Sequence, residues 1–227
     1  MMEMEALRDQ IISCKKCPRL VDFRENVLKD SKKYRDVEFW RKPLTGYGDI
    51  NGSILLIGLA PAASGGNRTG RVFTGDKSSD FLISCLYEAG ITNMPTSTNA
   101  GDGLEYIDAY ISLSVRCVPP DNKPERNEIN NCHPYLKSEF DMMHNVKSLI
   151  VLGKIAFDSA IRLLKERGYG TSGVKFVNNG IYDFEDIRLY CLFHPSPRNV
   201  NTGRINRDEF VNTLKEARSY SSRGKKY

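Results

Sequence analysis

The chain has 227 residues, with 33 basic against 28 acidic side chains for a net charge of +5, and it is 40% hydrophobic and 10% aromatic. That composition excludes a disordered chain, and the length is enough to bury a core without disulfide staples. The excess of base suits a polyanionic partner without requiring one.

The N-terminal dozen residues are charged and amphipathic, without the apolar core or cleavage site of a signal peptide. No apolar run approaches the roughly 18 residues of a membrane span, so a cytoplasmic protein with no membrane partner is expected. Residues 4–12 read as a short helix leading into Cys14 and Cys17, a CxxC followed by Pro18. Residues 20–28 continue as a second helical stretch, and 31–49 are mixed, with a turn at Gly46-Tyr47-Gly48. Residues 53–59 (SILLIGL) form the continuous apolar run of a strand buried on both faces. A loop over 58–76, dense in Gly, Asn, Thr and Arg, precedes a helix over 78–90 whose apolar residues recur with helical period until Gly90.

Residues 106–115 read as the second strand, running into Cys117 and Pro119-Pro120. Leu136, Phe140 and Met143 mark the next helix, with Pro134 at a plausible first-turn position. Residues 148–152 (SLIVL) are a third buried strand, and Ala156, Ala160, Leu163 and Leu164 mark the helix after it. Residues 188–193 are a fourth strand, entered by a hairpin-like excursion at Asn178-Asn179-Gly180. A polar loop over 194–204 and a closing helix through Phe210, Leu214 and Ala217 complete the pattern. Strands alternating with helices predict one α/β domain over 1–227 with a short, mostly parallel sheet. Residues 1–50 are expected as an N-terminal extension docked by the cysteine site, and 221–227 as a flexible tail. The loops 58–76, 117–124 and 194–204 all follow strands, so they should meet at one sheet edge, where ligands of such folds collect.

Of the six cysteines, Cys85 and Cys191 lie in apolar patterns and read as small buried hydrophobes. Cys14, Cys17, Cys117 and Cys132 sit at element ends or in loops, as metal ligands do. Four such thiolates suit a tetrahedral zinc or an iron–sulfur cluster equally, and spacing does not choose between them.

The first loop offers glycines that let a ligand approach the backbone, and Asn67 and Arg68 as donors for a phosphate or a base edge. It is neither a P-loop nor a dinucleotide fingerprint. Asp76 stands where a helix cap is expected. Asn122 is either a turn residue or a group that positions water. His194 ends a buried strand and is followed by two shape-fixing prolines. Arg68, Arg71, Arg116, Lys123, Arg126, Arg198 and Arg204 all fall in or beside loops, and five of them (Arg68, Arg71, Lys123, Arg198 and Arg204) are expected near phosphates.

The segments GLAPA (58–62), GGNRTGR and FTGD (65–76), RC-PP-NKP (116–124) and HPSP-N-NTGR (194–204) together resemble the iron–sulfur uracil-DNA glycosylases of family 5. The resemblance implies a three-layer α/β/α sandwich with a four-stranded, mainly parallel sheet. It implies a [4Fe–4S] cluster on Cys14, Cys17, Cys117 and Cys132, tying the extension to the loop of Asn122. It implies base-excision repair of DNA: the target nucleotide is extruded and its N-glycosidic bond hydrolysed. In that scheme Asp76 is the carboxylate beside the sugar, His194 serves the leaving group, Asn122 helps hold water, and Phe73 stacks on the base. Gly58, Ala60, Asn67, Arg68, Arg198 and Asn199 complete the substrate-binding set, the last two as residues entering the gap left by the flipped base.

Two departures stand out. Family 4 enzymes resemble GEAPG in the first motif, with Glu where this chain has Leu59, and carry an Asn in the second strand where this chain has Ile111-Ser112-Leu113. Losing a strict reader of the base edge predicts a broad pocket, admitting uracil first and other deaminated bases such as hypoxanthine behind it. The competing reading is a non-catalytic iron–sulfur DNA-binding or damage-sensing protein. A monomer associated with the nucleoid is expected, with a replication clamp or another repair protein as a conceivable recruiter.

Overall fold

The computed structural model describes residues 2–223. In chain order it forms α1 (Met2–Ile12), α2 (Pro18–Asn26), β1 (Tyr47–Gly48), β2 (Ile54–Gly58), α3 (Gly66–Thr69), α4 (Lys77–Glu88) and β3 (Ala109–Leu113). There follow α5 (Arg126–Met142), β4 (Ser148–Leu152), α6 (Lys154–Glu166), β5 (Ile181–Phe184), β6 (Ile187–Leu192), α7 (Pro197–Asn201) and α8 (Arg207–Ser221). The sheet order is β1-β3-β2-β4-β6-β5.

The four inner strands are mutually parallel, and each outer strand pairs antiparallel with its neighbour. The expected four-stranded sheet is therefore the centre of a six-stranded one. Both additions are edge strands that carry no long apolar run: Tyr47–Gly48 is two residues long, and Ile181–Phe184 is largely solvent-facing.

Alternation along the inner strands divides the core into two layers. Ile54, Leu56, Ile111, Leu113, Ile150 and Leu192 face α4 and α8. Leu55, Ile57, Tyr110, Leu149, Val151 and Leu189 face α5 and α6. Helices on both faces are what parallel strands buried on both sides require, and the three-layer sandwich follows. No helix among the described residues is long and apolar enough to cross a membrane.

Two boundaries differ most from expectation. The helix assigned to the region after Pro134 begins eight residues earlier, at Arg126, with Pro134 inside it. Its first turns bury Glu128, Cys132 and His133 rather than aliphatic residues, so the apolar period that marks a helix is missing there. Ser221 is the buried last residue of α8 rather than the start of a tail, and 224–227 lie outside the described residues. The extension is fastened by more than cysteines. Leu7 and Ile11 pack with Tyr135 of α5, the Leu44 N–H donates to the Arg116 carbonyl at 2.8 Å, and β1 joins the sheet.

Beneath β3 lies a buried ion pair. Arg116 Nη1 and Nη2 reach Glu139 Oε1 and Oε2 at 3.2 and 2.6 Å, with both side chains 1% exposed. The carboxylate also accepts from the Tyr110 hydroxyl, the Ser112 hydroxyl and the Gly46 N–H. Replacing Glu139 by Ala strands a charged guanidinium in the core and should cost about 3–5 kcal/mol in urea unfolding. The exposed Lys165→Ala should stay within about 0.5 kcal/mol of the wild type.

Candidate active site

The parallel strands deliver their following loops to one edge, and β2, between β3 and β4, is where the chain order reverses. A cavity of about 250 Å³ opens there. Leu59, Ala60, Pro61, Val72, Phe73 and Leu113 form apolar walls, and Asp76, Ser78, Asn122, His194 and Ser196 supply the polar groups. The size falls just below the roughly 300–1,000 Å³ of drug-sized sites and suits a small planar molecule of one or two rings.

Asp76 caps α4, as its position suggests, and also faces the cavity. Its Oδ1 accepts the N–H groups of Ser78 and Ser79, both at 2.9 Å, which fixes the carboxylate. Its Oδ2 lies against Gly65, where a Cβ would come within 1.9 Å of it. Burial raises the pKa of Asp76, and the two backbone donors pull it partly back.

Phe73 holds φ at +47°, a left-handed conformation unusual for an aromatic residue. Its ring occupies the space a Cβ on Gly58 would need, 2.7 Å from Cε2. Gly58 thus admits the ring rather than contacting a ligand itself. The ring centroids of Phe73 and His194 are 6.0 Å apart with planes inclined 32°.

Burial pushes the His194 pKa down to about 4. The imidazole is therefore neutral at pH 7, with one N–H to donate. Asn199 Nδ2 donates to the His194 carbonyl at 2.8 Å, and the Ser196 hydroxyl accepts the Asn199 N–H at 3.3 Å. Asn199 accordingly locks the histidine loop and does not project toward a gap. Asn122 stands on a turn after Pro119-Pro120, in which Asp121 and Asn122 have φ of 51° and 56°. Its side chain is exposed at the cavity rim.

Two predicted ligand contacts are spent inside the protein, and a third in part. Asn67 is buried, and its Nδ2 donates to the Arg24 carbonyl at 3.1 Å. Arg71 is buried against Asp102, Ser97 and Thr74. Arg68 braces its own loop through the Ser64 and Gly75 carbonyls. Arg116, a loop arginine not among those expected near phosphates, is the buried partner of Glu139. Lys123, Arg198 and Arg204 remain exposed. Ser78 lines the cavity although no motif included it; its signal was its place two residues after the cap.

Cys14, Cys17, Cys117 and Cys132 line a second, narrow cavity together with Arg24 and Arg116. All are free thiols. Donors point at three of the sulfurs: Arg24 Nη1 at Cys117 (3.1 Å), Asn131 Nδ2 at Cys17 (3.4 Å) and the Arg116 N–H at Cys132 (3.5 Å). Among the described residues no three His, Cys, Asp or Glu groups gather closely enough to hold a single metal ion.

The fold and pocket define a class: a three-layer α/β/α protein with a ring-sized cavity at the switch point, holding a fixed carboxylate and a neutral histidine. The chain belongs to the uracil DNA glycosylase superfamily, whose family model matches residues 45–218. It is 38% identical over 218 residues to the type-5 uracil-DNA glycosylase of Thermus thermophilus, covering 96% of this chain and 98% of that one. It is 36% identical over 209 residues to the type-5 enzyme of Pyrobaculum aerophilum, covering 92% and 89%. A type-4 uracil-DNA glycosylase from Sulfurisphaera tokodaii is 26% identical over 217 residues, 92% and 83% of the two chains.

The histidine supplies a test of the site's electrostatics. Its folded pKa of about 4 lies below the ordinary 6.5, so on acidification the unfolded chain takes up the proton first. The stability His194 contributes is full above pH 6.5 and is lost as pH falls toward 4. NMR should find no titration of His194 near pH 6.5, and His194→Asn should flatten the loss of stability between pH 6.5 and 5.

Proposed function

We propose that this protein is a DNA repair glycosylase that hydrolyses the N-glycosidic bond of uracil in DNA and leaves an abasic site. The observation that carries this reading is the gathering of Phe73, Asp76, Asn122 and His194 around one ring-sized cavity. Membership of the superfamily and the printed activity of its type-5 relatives support it.

A base within the duplex is out of reach, so the target nucleotide rotates into the cavity, where the face of Phe73 stacks on it. The bond from the sugar C1′ to the base then breaks, its electron pair leaving with the base. Positive charge develops on the sugar and negative charge on the base. Asp76 stabilises the first through Oδ2 and accepts a proton from the attacking water, which Asn122 helps hold. The neutral His194 donates a hydrogen bond to the departing base. Burial holds the Asp76 carboxyl above its usual range, and once protonated it neither stabilises the sugar cation nor accepts the water's proton, so base release should slow as pH falls into the acid range.

Specificity follows from what the wall lacks. Leu59 and Leu113 are apolar, and the Ser112 hydroxyl faces the opposite side of the sheet, bonded to Glu139. No strand side chain reads the base edge, which favours a broad pocket that also admits hypoxanthine. Nothing favours the non-catalytic reading, which needs neither the fixed carboxylate nor the stacking ring. The setting is DNA in the cytoplasm.

Cys14, Cys17, Cys117 and Cys132 would hold a [4Fe–4S] cluster. Their common cavity supports this, as do the donors aimed at sulfur and the buried Nε atoms of Arg24 and Arg116 on its wall, which have no partner among the described residues. Burial pushes the Cys132 thiol up to about 12 and also raises Cys117, so thiolates there need a neighbouring cation. The cluster would supply structural iron–thiolate bonds joining the extension, the loop after β3 and α5.

Base release from duplexes holding uracil, hypoxanthine or only normal bases tests the activity. Uracil should be released fastest, hypoxanthine more slowly and normal bases not at all. Asp76→Ala should lower the single-turnover rate about a hundredfold or more; an unchanged rate would remove Asp76 from the chemistry. For the metal, purified protein should carry iron and sulfide with visible absorbance, and Cys117→Ala should abolish the absorbance and lower the Tm.

A further inference from the structure

The base pocket uses only part of the surroundings of Asp76. The same residue also lines a second, more open cleft of about 410 Å³. The short turn Lys32–Tyr34 of the extension brings Lys33 and Tyr34 to it, the loop after β2 brings Ser64 and Arg68, and the first turn of α4 brings Lys77. Arg68 is held rigid through Nε and Nη2, 2.7 and 3.0 Å from the Ser64 and Gly75 carbonyls, which leaves Nη1 unpaired among the described residues. Lys33 Nζ lies 5.2 Å and Arg68 Cζ 5.9 Å from the centroid of the Tyr34 ring. Asp76 and Asp80 also line the cleft; Lys77 Nζ lies 3.7 Å from the Asp80 carboxylate, and one oxygen of Asp76 is held by its backbone donors while the other lies against Gly65. The cleft therefore offers three cations with hydroxyl and guanidinium donors, and one of those cations is pre-positioned.

We infer that this cleft binds the phosphodiester backbone of the DNA strand carrying the extruded nucleotide. The inference rests on the glycosylase reading. With the base in the pocket and its sugar beside Asp76, the flanking phosphates must pass through space that adjoins Asp76 outside the pocket, and this cleft is such a space. Its ligand is a sequence-independent anion that takes N–H and O–H donors. The extension, whose evident task is to carry two of the cysteines, would thereby also grip DNA through Lys33 and Tyr34.

The test uses the full-length protein and a duplex bearing a tetrahydrofuran abasic analogue, which cannot react. Kd is measured over a series of KCl concentrations for wild type, Lys33→Ala/Lys77→Ala, Lys33→Arg/Lys77→Arg and Lys165→Ala, the last at the far end of α6. Two lost phosphate contacts should reduce the slope of log K against log salt by about 1.8. The arginine pair should restore the slope, and Lys165→Ala should leave it unchanged. An unaltered slope in the double alanine variant would overturn the assignment, as would an equal reduction in Lys165→Ala. The glycosylase reading is judged separately: wild type that left uracil in place, while the double variant still lost slope, would sink that reading and leave the phosphate site standing.

Discussion

The buried pair of Arg116 and Glu139 is the constraint from which both cavities hang. Taking two charges out of water costs several kcal/mol each, and only dense hydrogen bonding offsets it. Here the carboxylate draws on Tyr110 and Ser112 of β3 and on the Gly46 N–H just before β1. Three parts of the chain must therefore be in register before the pair is satisfied: the extension, β3, and α5, which carries Glu139. Once they are, the Arg116 N–H lies 3.5 Å from the Cys132 sulfur, and Cys117 is the next residue along. The loop from Cys117 to Asn122 then runs from the cysteine cavity to the rim of the base pocket. A purely apolar core would pack the same helices on the same sheet without fixing this register.

The pocket shows the same preference for rigidity over contact. Phe73 is kept in a left-handed conformation, Gly58 and Gly65 leave room for a ring and a carboxylate oxygen, and α4 holds the other oxygen of Asp76. Asn199 fixes the backbone of His194. Groups already oriented need no reorganisation when charge develops, and that is where electrostatic catalysis gains most. Conformational strain at Phe73 is tolerable because the surrounding core determines the ring's place.

The inner strands were legible because a strand buried on both faces must be apolar throughout, and residues 148–152 match their element residue for residue. The edge strands carry no such demand and left no signal. Capping the helix and facing the cavity do not exclude one another at Asp76, since one carboxylate oxygen accepts the α4 donors while the residue still lines the pocket. Asn67 and Arg71 show the converse limit. A buried loop needs internal donors of the same types that a ligand would attract, and composition does not distinguish the two uses. Pro134 misled for a related reason: the first turns of α5 face cysteines and an ion pair, so their pattern is polar although their environment is buried.

Charge has to be counted in the same way, after internal pairing is removed. Arg24, Arg71 and Arg116 are all 3% exposed or less and serve carbonyls, a thiol and carboxylates within the fold. They add nothing to the field that an approaching polyanion meets at close range. The arginines that look most like phosphate ligands in the motif loops are in part the ones the fold consumes. What remains toward the pocket edge is a set of exposed side chains, Lys123, Arg198 and Arg204 on the loops and Lys33 and Lys77 on the extension and α4. They come from separate segments, so no single stretch of sequence reads as a basic motif. Only the fold, by bringing the strand ends together and seating the extension beside them, assembles them around one edge.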